Sequence, residues 1–277
     1  MRTFYRHFPQ KYFWRLVTVI GAVSVWELLA RCMNNPTIYP TIKQIVSYSF
    51  PSIALFADSP NPTGSVSVAL RILAWHSLLT LWRILSGVVI GATLGVSAGI
   101  AVHLMKSNSH SNKLILAGAR TVPLLALIPL FVYWFGNRQI GIYVYISFGV
   151  FVVMSTVTYE AISNIPAEYL HQTHLLGSGG WRDLLSVYLH AIQPQVFPAL
   201  REVVGLSWAF SLGAEYVVKR DGLGYLVSLS YQYSDMGKLF VFAAIYVLYG
   251  YLAYLLITAI TRKVGRWYLA ESGKEAL

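Results

Sequence analysis

The chain has 277 residues, 56% of them hydrophobic and only 12% charged, with a mean hydropathy of +0.56. A soluble domain carries about a quarter charged residues, so a single water-soluble core is excluded as the home of this much apolar side chain. The net charge of +10 sits on Lys and Arg at the edges of apolar blocks, which argues for membrane topology and against nucleic-acid binding.

Nineteen tyrosines and eight tryptophans suit a chain with many positions that are apolar at one end and wet at the other. The single cysteine, Cys32, excludes an intrachain disulfide and any cysteine cluster around a metal.

In chain order, apolar blocks fall at 16–32, 78–102, 114–135, 140–158, 196–218 and 239–260. A helix needs about 20 residues to cross the hydrocarbon core. The expectation is an all-α integral membrane protein, with residues 1–277 forming one domain of about six transmembrane helices. The first block is interrupted by Glu27 and flanked by Arg15 and Arg31. Leu29-Ala30-Arg31-Cys32 imitates a lipoprotein cleavage box, but Arg31 stands where a small residue is required, so an uncleaved helix is expected.

Basic residues orient the chain. Arg2, Arg6, Lys11 and Arg15 precede the first block, Lys106, Lys113 and Arg120 border the second turnaround, and Arg262, Lys263 and Arg266 follow the last. Six spans place all three groups, and the amino terminus, in the cytoplasm. Lys43, Arg71, Arg138, Lys219, Arg220 and Lys238 fall on the other side, so the bias is moderate.

Two segments are neither spans nor simple turns. Residues 34–75, with Pro36, Pro40, Pro51, Pro60 and Pro62, read as an external loop carrying a short surface helix. Residues 160–195 read as a cytoplasmic segment, too long for a hairpin connection. Its pattern suggests two short helices, from Pro166 to Leu176 and from Trp181 to Leu189, broken at Gly177, Gly179 and Gly180.

The second block carries Gly87, Gly91, Gly95 and Gly99 at strict four-residue spacing. On a helix they form a groove without side chains, into which another helix can pack closely. That helix can belong to the same chain, to a second subunit, or to a conduction pathway.

Charges inside the spans are costly, at least about 2.5 kcal/mol each at the bilayer centre. Glu27, Arg83 and Glu215 are such charges, and each can snorkel, pair within the bundle, or serve a pathway. No G-x-x-x-x-G-K-[ST], H-E-x-x-H or G-x-S-x-G stretch occurs, so no enzyme and no nucleotide site is expected in this chain. His171 and His174 share a helical face but lack a third ligand nearby, so no metal is expected either.

Four stretches resemble the permease subunits of binding-protein-dependent ABC importers, in the subgroup serving nitrate, taurine, aliphatic sulfonates, bicarbonate and some vitamin precursors. Val25-Trp26-Glu27-Leu28-Leu29 with Tyr39-Pro40-Thr41 resembles the "W-E-L … L-P-S-P" opening, and Thr80-Leu81-Trp82-Arg83 with Gly87 the "S-L-x-R-x-x-x-G" that follows. Arg120-Thr121-Val122-Pro123 through Pro129-Leu130, ending at Trp134-Phe135-Gly136, is similar to the subgroup's most recognisable helix. Gly213-Ala214-Glu215-Tyr216 with Gly222-Leu223-Gly224-Tyr225 resembles its "A-E … G-L-G-Y" segment.

A fifth stretch fits in part. The subgroup's cytoplasmic coupling loop reads E-A-A-x-x-x-G. Here Gly177 matches the glycine and Trp181 a frequent tryptophan, while His171, Gln172 and Thr173 replace E-A-A. The resemblance implies a type I ABC importer permease fold in the bacterial inner membrane. It implies contact with ATP-binding subunits through His171, Gln172, Thr173, Gly177 and Trp181, without the usual glutamate.

It also makes Arg83, Glu215, Pro123 and Pro129 candidates for the translocation path or its gate. The partners implied are two ATP-binding cassette subunits, which hold the ATP and Mg, and a second permease, identical or not. A periplasmic or lipid-anchored substrate-binding protein completes the set. The alternative, an ion-coupled carrier or other stand-alone membrane protein, would show inverted repeats with broken spans in both halves, and none is evident.

Overall fold

Wherever the sequence runs apolar without proline, the chain is helical, and among the residues described there is no strand. The computed structural model describes residues 10–56, 64–105, 109–136, 138–166 and 187–265. It divides into two compact units, residues 1–74 with 229–244, and residues 75–228 with 245–277.

In the first unit, helix α1 (Gln10–Met33) runs until the chain nears Pro36. Its apolar side chains point outward on most sides: Leu16, Val19, Ile20, Val25 and Leu28 are each at least 55% exposed. That surface is stable against hydrocarbon and unfavourable against water. The end of α1 is fixed by two adjacent residues. The Trp26 indole N–H donates to the Pro40 carbonyl at 3.2 Å, and its ring meets Phe240 at 4.5 Å between centroids. The Glu27 carboxylate pairs with Arg31 at 2.9 Å and accepts the Ile42 backbone N–H at 3.1 Å.

Thr41 and Gln44 then form a reciprocal capping box that starts a run of short helical turns reaching Phe56. Lys238, paired with Asp235 at 3.1 Å, lies 4.4 Å from the centre of the Phe56 ring.

Helix α2 (Val66–Leu104) starts twelve residues before the expected 78, so the segment read as a loop to 75 ends in helix. Beyond Pro62 no proline interrupts the chain, and the apolar positions around Arg71 and His76 carry the helix through both polar residues. At 39 residues it is about 58 Å long, well beyond the ~30 Å hydrocarbon core.

In the second unit the glycine ridge of α2 lies against helix α5 (Gln139–Ser163). A Cβ at Gly95 would sit 2.9 Å from the Phe151 carbonyl oxygen, and one at Gly99 2.7 Å from that of Ser155. Only glycine allows backbones to approach that closely. Ile146 and Met154 of α5 meet that ridge at Gly87 and Gly95, and with Ile142 they join one core with Val203, Phe210 and Ala214 of helix α6 (Gln193–Val218).

The third block, expected as one span over 114–135, is a bent pair: helix α3 (Ser109–Thr121) and helix α4 (Ile128–Phe135) meet at 75°. Pro123 has no N–H to continue α3 and disfavours helical geometry in the residue before it. Of the carbonyls freed at the break, that of Leu124 is bonded by the Tyr145 hydroxyl at 3.1 Å.

Helix α7 (Leu223–Gln232) follows α6, and helix α8 (Met236–Val264) completes the described chain. Among the described residues α1, α2, α5 and α8 are long and apolar enough to cross a membrane, and the bent pair is a fifth where its two arms count as one span. Helix α6 has 26 residues but carries Arg201, Glu202 and Glu215, so length and composition do not establish the sixth span expected over 196–218. The coupling residues His171, Gln172, Thr173, Gly177 and Trp181 lie outside the described residues.

Candidate functional site

One face of α2 changes character along its length. His76, Thr80 and Arg83, spaced four and three residues apart, precede the glycine ridge on the side that meets α6 and α7. Arg83 and Glu215, separated by 132 residues in sequence, form an ion pair at 2.9 Å with both side chains buried. Hydrocarbon or protein interior forces such charges to be neutralised and fully hydrogen-bonded.

The bonding is close to complete. Glu215 accepts the Thr80 hydroxyl at 3.0 Å, the Gly224 backbone N–H at 2.9 Å and the Ser211 hydroxyl at 3.3 Å. Arg83 also donates to the Asp221 carboxylate, and to the Asp221 carbonyl at 3.1 Å. The second Asp221 oxygen accepts from the Gln139 side-chain amide at 3.2 Å, at the first turn of α5. Two carboxylates thus face one guanidinium, and neutral donors from four elements, α2, α5, α6 and α7, supply the remaining bonds.

The turn between α6 and α7 is shaped to deliver these groups. Lys219 ends α6 in the left-handed region, φ +53°, and its N–H returns to the Glu215 carbonyl at 3.0 Å. Gly222 has φ +99°, a conformation that L side chains rarely adopt, and a Cβ there would collide with the Glu215 carboxylate. The Gly222 N–H donates to His76 Nδ1 and the Leu223 N–H to Thr80 Oγ1, both at 2.9 Å. The chain therefore reads Glu215 and its following turn as one object, held by α2.

Of the residues singled out in the sequence, Arg83 and Glu215 come together. Pro123 and Pro129 do not join them; they sit exposed at the bend between α3 and α4, Pro129 in the first turn of α4. His76, Gln139 and Asp221 were not singled out. The spacing 76, 80, 83 on one helical face was a usable signal for His76, whereas Gln139 had none.

The fold and sequence both have relatives. The chain is 26% identical over 219 residues to a putative ABC transporter permease protein of Methanocaldococcus jannaschii, covering 78% of this chain and 77% of that one. It is 25% identical over 261 residues to a putative aliphatic sulfonates transport permease protein of Bacillus subtilis, covering 93% and 89%. The taurine transport system permease protein of Escherichia coli is 24% identical over 261 residues, covering 92% and 91%.

A chain from inward-facing structures of the MetNI methionine ABC transporter superposes with a TM-score of 0.59 at 17% identity, over 70% of this chain and 97% of that one. That likeness is one of fold, the type I importer permease fold. Residues 87–266 match the family described as the binding-protein-dependent transport system inner membrane component, and the chain belongs to that family of multi-pass membrane permeases.

Proposed function

We propose that this permease forms the membrane path for a small anion of the sulfonate, taurine or bicarbonate kind, handed over by a substrate-binding protein. The observation that carries the substrate class is the similarity to the sulfonate permease over 93% of the chain. Two ATP-binding cassette subunits hold the ATP and Mg and dock on the segment 160–195. A second permease, identical or not, completes the path. The test is uptake into liposomes by the reconstituted complex. Uptake of a sulfonate that stops when either the ATP-binding subunits or the binding protein is left out supports the reading. Uptake by this chain alone, driven by an ion gradient, overturns it.

Within that reading, the Arg83–Glu215 pair acts as the latch of the outer gate. It ties α2 to the α6–α7 turn, and Asp221 extends the tie to the start of α5 through Gln139. The bend at Pro123, with Pro129 beyond it, breaks a span where a path requires one. Neither proline touches the latch, so the two act at separate points.

On the cytoplasmic side, the contact with the ATP-binding subunits falls to His171, Gln172, Thr173, Gly177 and Trp181, without the glutamate usual in the subgroup. Gly177→Val is expected to uncouple substrate-stimulated ATPase activity or block assembly, whereas His171→Ala is expected to be mild. Wild-type coupling in Gly177→Val removes the segment from the mechanism, and a severe His171→Ala defect assigns the missing glutamate's role to the histidine.

The amino terminus lies in the cytoplasm. Cys32, exposed at the end of α1, then faces outward and is expected to react with an impermeant maleimide in intact spheroplasts. A cysteine moved to Ser111 in a Cys32→Ser background is expected to stay unlabelled. Labelling of the Ser111 position instead reverses the orientation.

A further inference from the structure

The amides of Gly222, Leu223 and Gly224 stand at the amino terminus of α7, where a helix cannot bond its own first N–H groups. Each finds a side chain from another helix. Gly222 donates to His76 Nδ1 and Leu223 to Thr80 Oγ1, both of α2, and Gly224 to Glu215 Oε2 of α6, all at 2.9 Å. Three side chains thus cap α7 together, as one residue does at an ordinary helix start. Gly222, at φ +99°, cannot be replaced by a residue that caps from within, since a Cβ there meets the Glu215 carboxylate.

One of the three acceptors differs from the others. The Thr80 hydroxyl does not titrate, and the Glu215 carboxylate is already paired with Arg83 at 2.9 Å. Histidine is the side chain whose ordinary titration falls between about pH 5 and 8. A backbone N–H only donates, so His76 Nδ1 must present a lone pair, and the single proton of the neutral ring sits on Nε2. A second proton goes to Nδ1, which then faces the Gly222 N–H as donor against donor. The bond is lost, and the new cation stands against the positive end of α7.

The half-buried ring has ionisable neighbours on each element of the site. Tyr225 of α7 lies 6.1 Å away between ring centroids. Asp221 precedes Gly222 in the turn, Glu215 of α6 takes the Gly224 amide, and both carboxylates are bonded to Arg83. Arg83 itself stands two turns along α2, about 10 Å of rise from His76.

We propose that His76 is a positioning residue for the latch: its neutral ring holds the amino terminus of α7, and protonation of the ring releases that turn. The turn carries Asp221 and the Gly224 amide, so its release withdraws bonds from both Arg83 and Glu215. The effect on transport rests on the latch reading given above; the hold on the turn does not.

Hydrogen exchange of the whole transporter in lipid nanodiscs reads the bond, as protection of the peptide holding Lys219–Tyr225 after correction for the intrinsic pH dependence of exchange. Ethanesulfonate taken up per ATP hydrolysed, by the transporter reconstituted in liposomes with its binding protein, reads the function. Between about pH 7.5 and about pH 5.5, with both faces at the same pH, each wild-type reading should fall about fivefold, the factor for one lost hydrogen bond. His76→Asn puts an amide oxygen near the Nδ1 position and does not titrate, so both readings should stay high and level. It also reports every other pH effect in the same buffers. His76→Phe keeps a ring but offers no acceptor, so both readings should be low at either pH.

The same acid fall in His76→Asn as in the wild type overturns the proposal, because another group then titrates. So does wild-type protection in His76→Phe; if that variant does not assemble, His76→Asn alone decides. Protection that falls in acid while coupling stays level supports the hold of His76 on the turn and overturns the latch reading instead.

Discussion

Arg83→Met is expected to lower the stability of the second unit by about 3–5 kcal/mol, the range for removing one partner of a buried pair. The loss arises because the Glu215 carboxylate stays behind without its cation. Glu215 is fully buried and cannot reach bulk water in place of the guanidinium, whereas Asp221, 19% exposed, reaches solvent and keeps Arg220 at 3.9 Å. Against a typical total of about 5–15 kcal/mol, that leaves little correctly folded protein.

A second substitution separates charge from packing. Glu215→Gln keeps the shape and the acceptor oxygen but presents an NH₂ to donors, so alone it should assemble and impair transport. In Arg83→Met with Glu215→Gln the stranded charge is gone, and the double variant should be more stable than the sum of the two losses. The measurement is thermal unfolding of the purified transporter with uptake assayed beside it. Wild-type melting of Arg83→Met, or strict additivity, removes the latch as a structural unit.

How much of this was legible in the sequence depended on the range of the interaction. Arg83 and Glu215 stood out singly because a charge within an apolar run is conspicuous. Their pairing joins positions 132 residues apart, and no local periodicity encodes that. The glycine ridge was visible as a pattern, but its partner α5 was not, because glycine specifies how closely a helix approaches and not which one.

Element ends followed a similar logic. The start of α2 was placed too late because Arg71 and His76 dilute an apolar count without interrupting a helix. The break in the third block was present in the sequence as Pro123, yet apolar composition on both sides of it outweighed the proline in reading one span. Trp26 and Glu27 were recognised as a motif. Their adjacency has a long-range cause: Glu27 accepts the Ile42 N–H and Trp26 donates to the Pro40 carbonyl, fixing the chain as it leaves α1.

Gly95→Leu is the second large effect expected, and it tests the α2–α5 approach directly. A Cβ at Gly95 would lie 2.8 Å from Met154 Cβ, 2.9 Å from the Phe151 carbonyl oxygen and 3.1 Å from the Ser155 nitrogen. Two of these three atoms are backbone, so no rotamer change relieves the contact; the helices must part along their length. Overpacking of this kind costs about 1–3 kcal/mol when side chains can yield, and more is expected where only backbone can move.

Parting would also loosen α5 from Gly87 to Gly99, since the same ridge carries all four contacts. Gly95→Ala should therefore be intermediate and Gly95→Leu should abolish recovery of monodisperse protein. Gly205 in α6 is the control: nothing lies within 4 Å of a Cβ built there, so Gly205→Ala should be neutral or stabilising by up to about 1 kcal/mol, through helix propensity alone. The readouts are yield by size exclusion and midpoint of thermal unfolding. If Gly95→Leu melts with the wild type, α2 and α5 do not touch backbone to backbone. If Gly205→Ala is as damaging as Gly95→Ala, the effect belongs to glycine in general and not to this ridge.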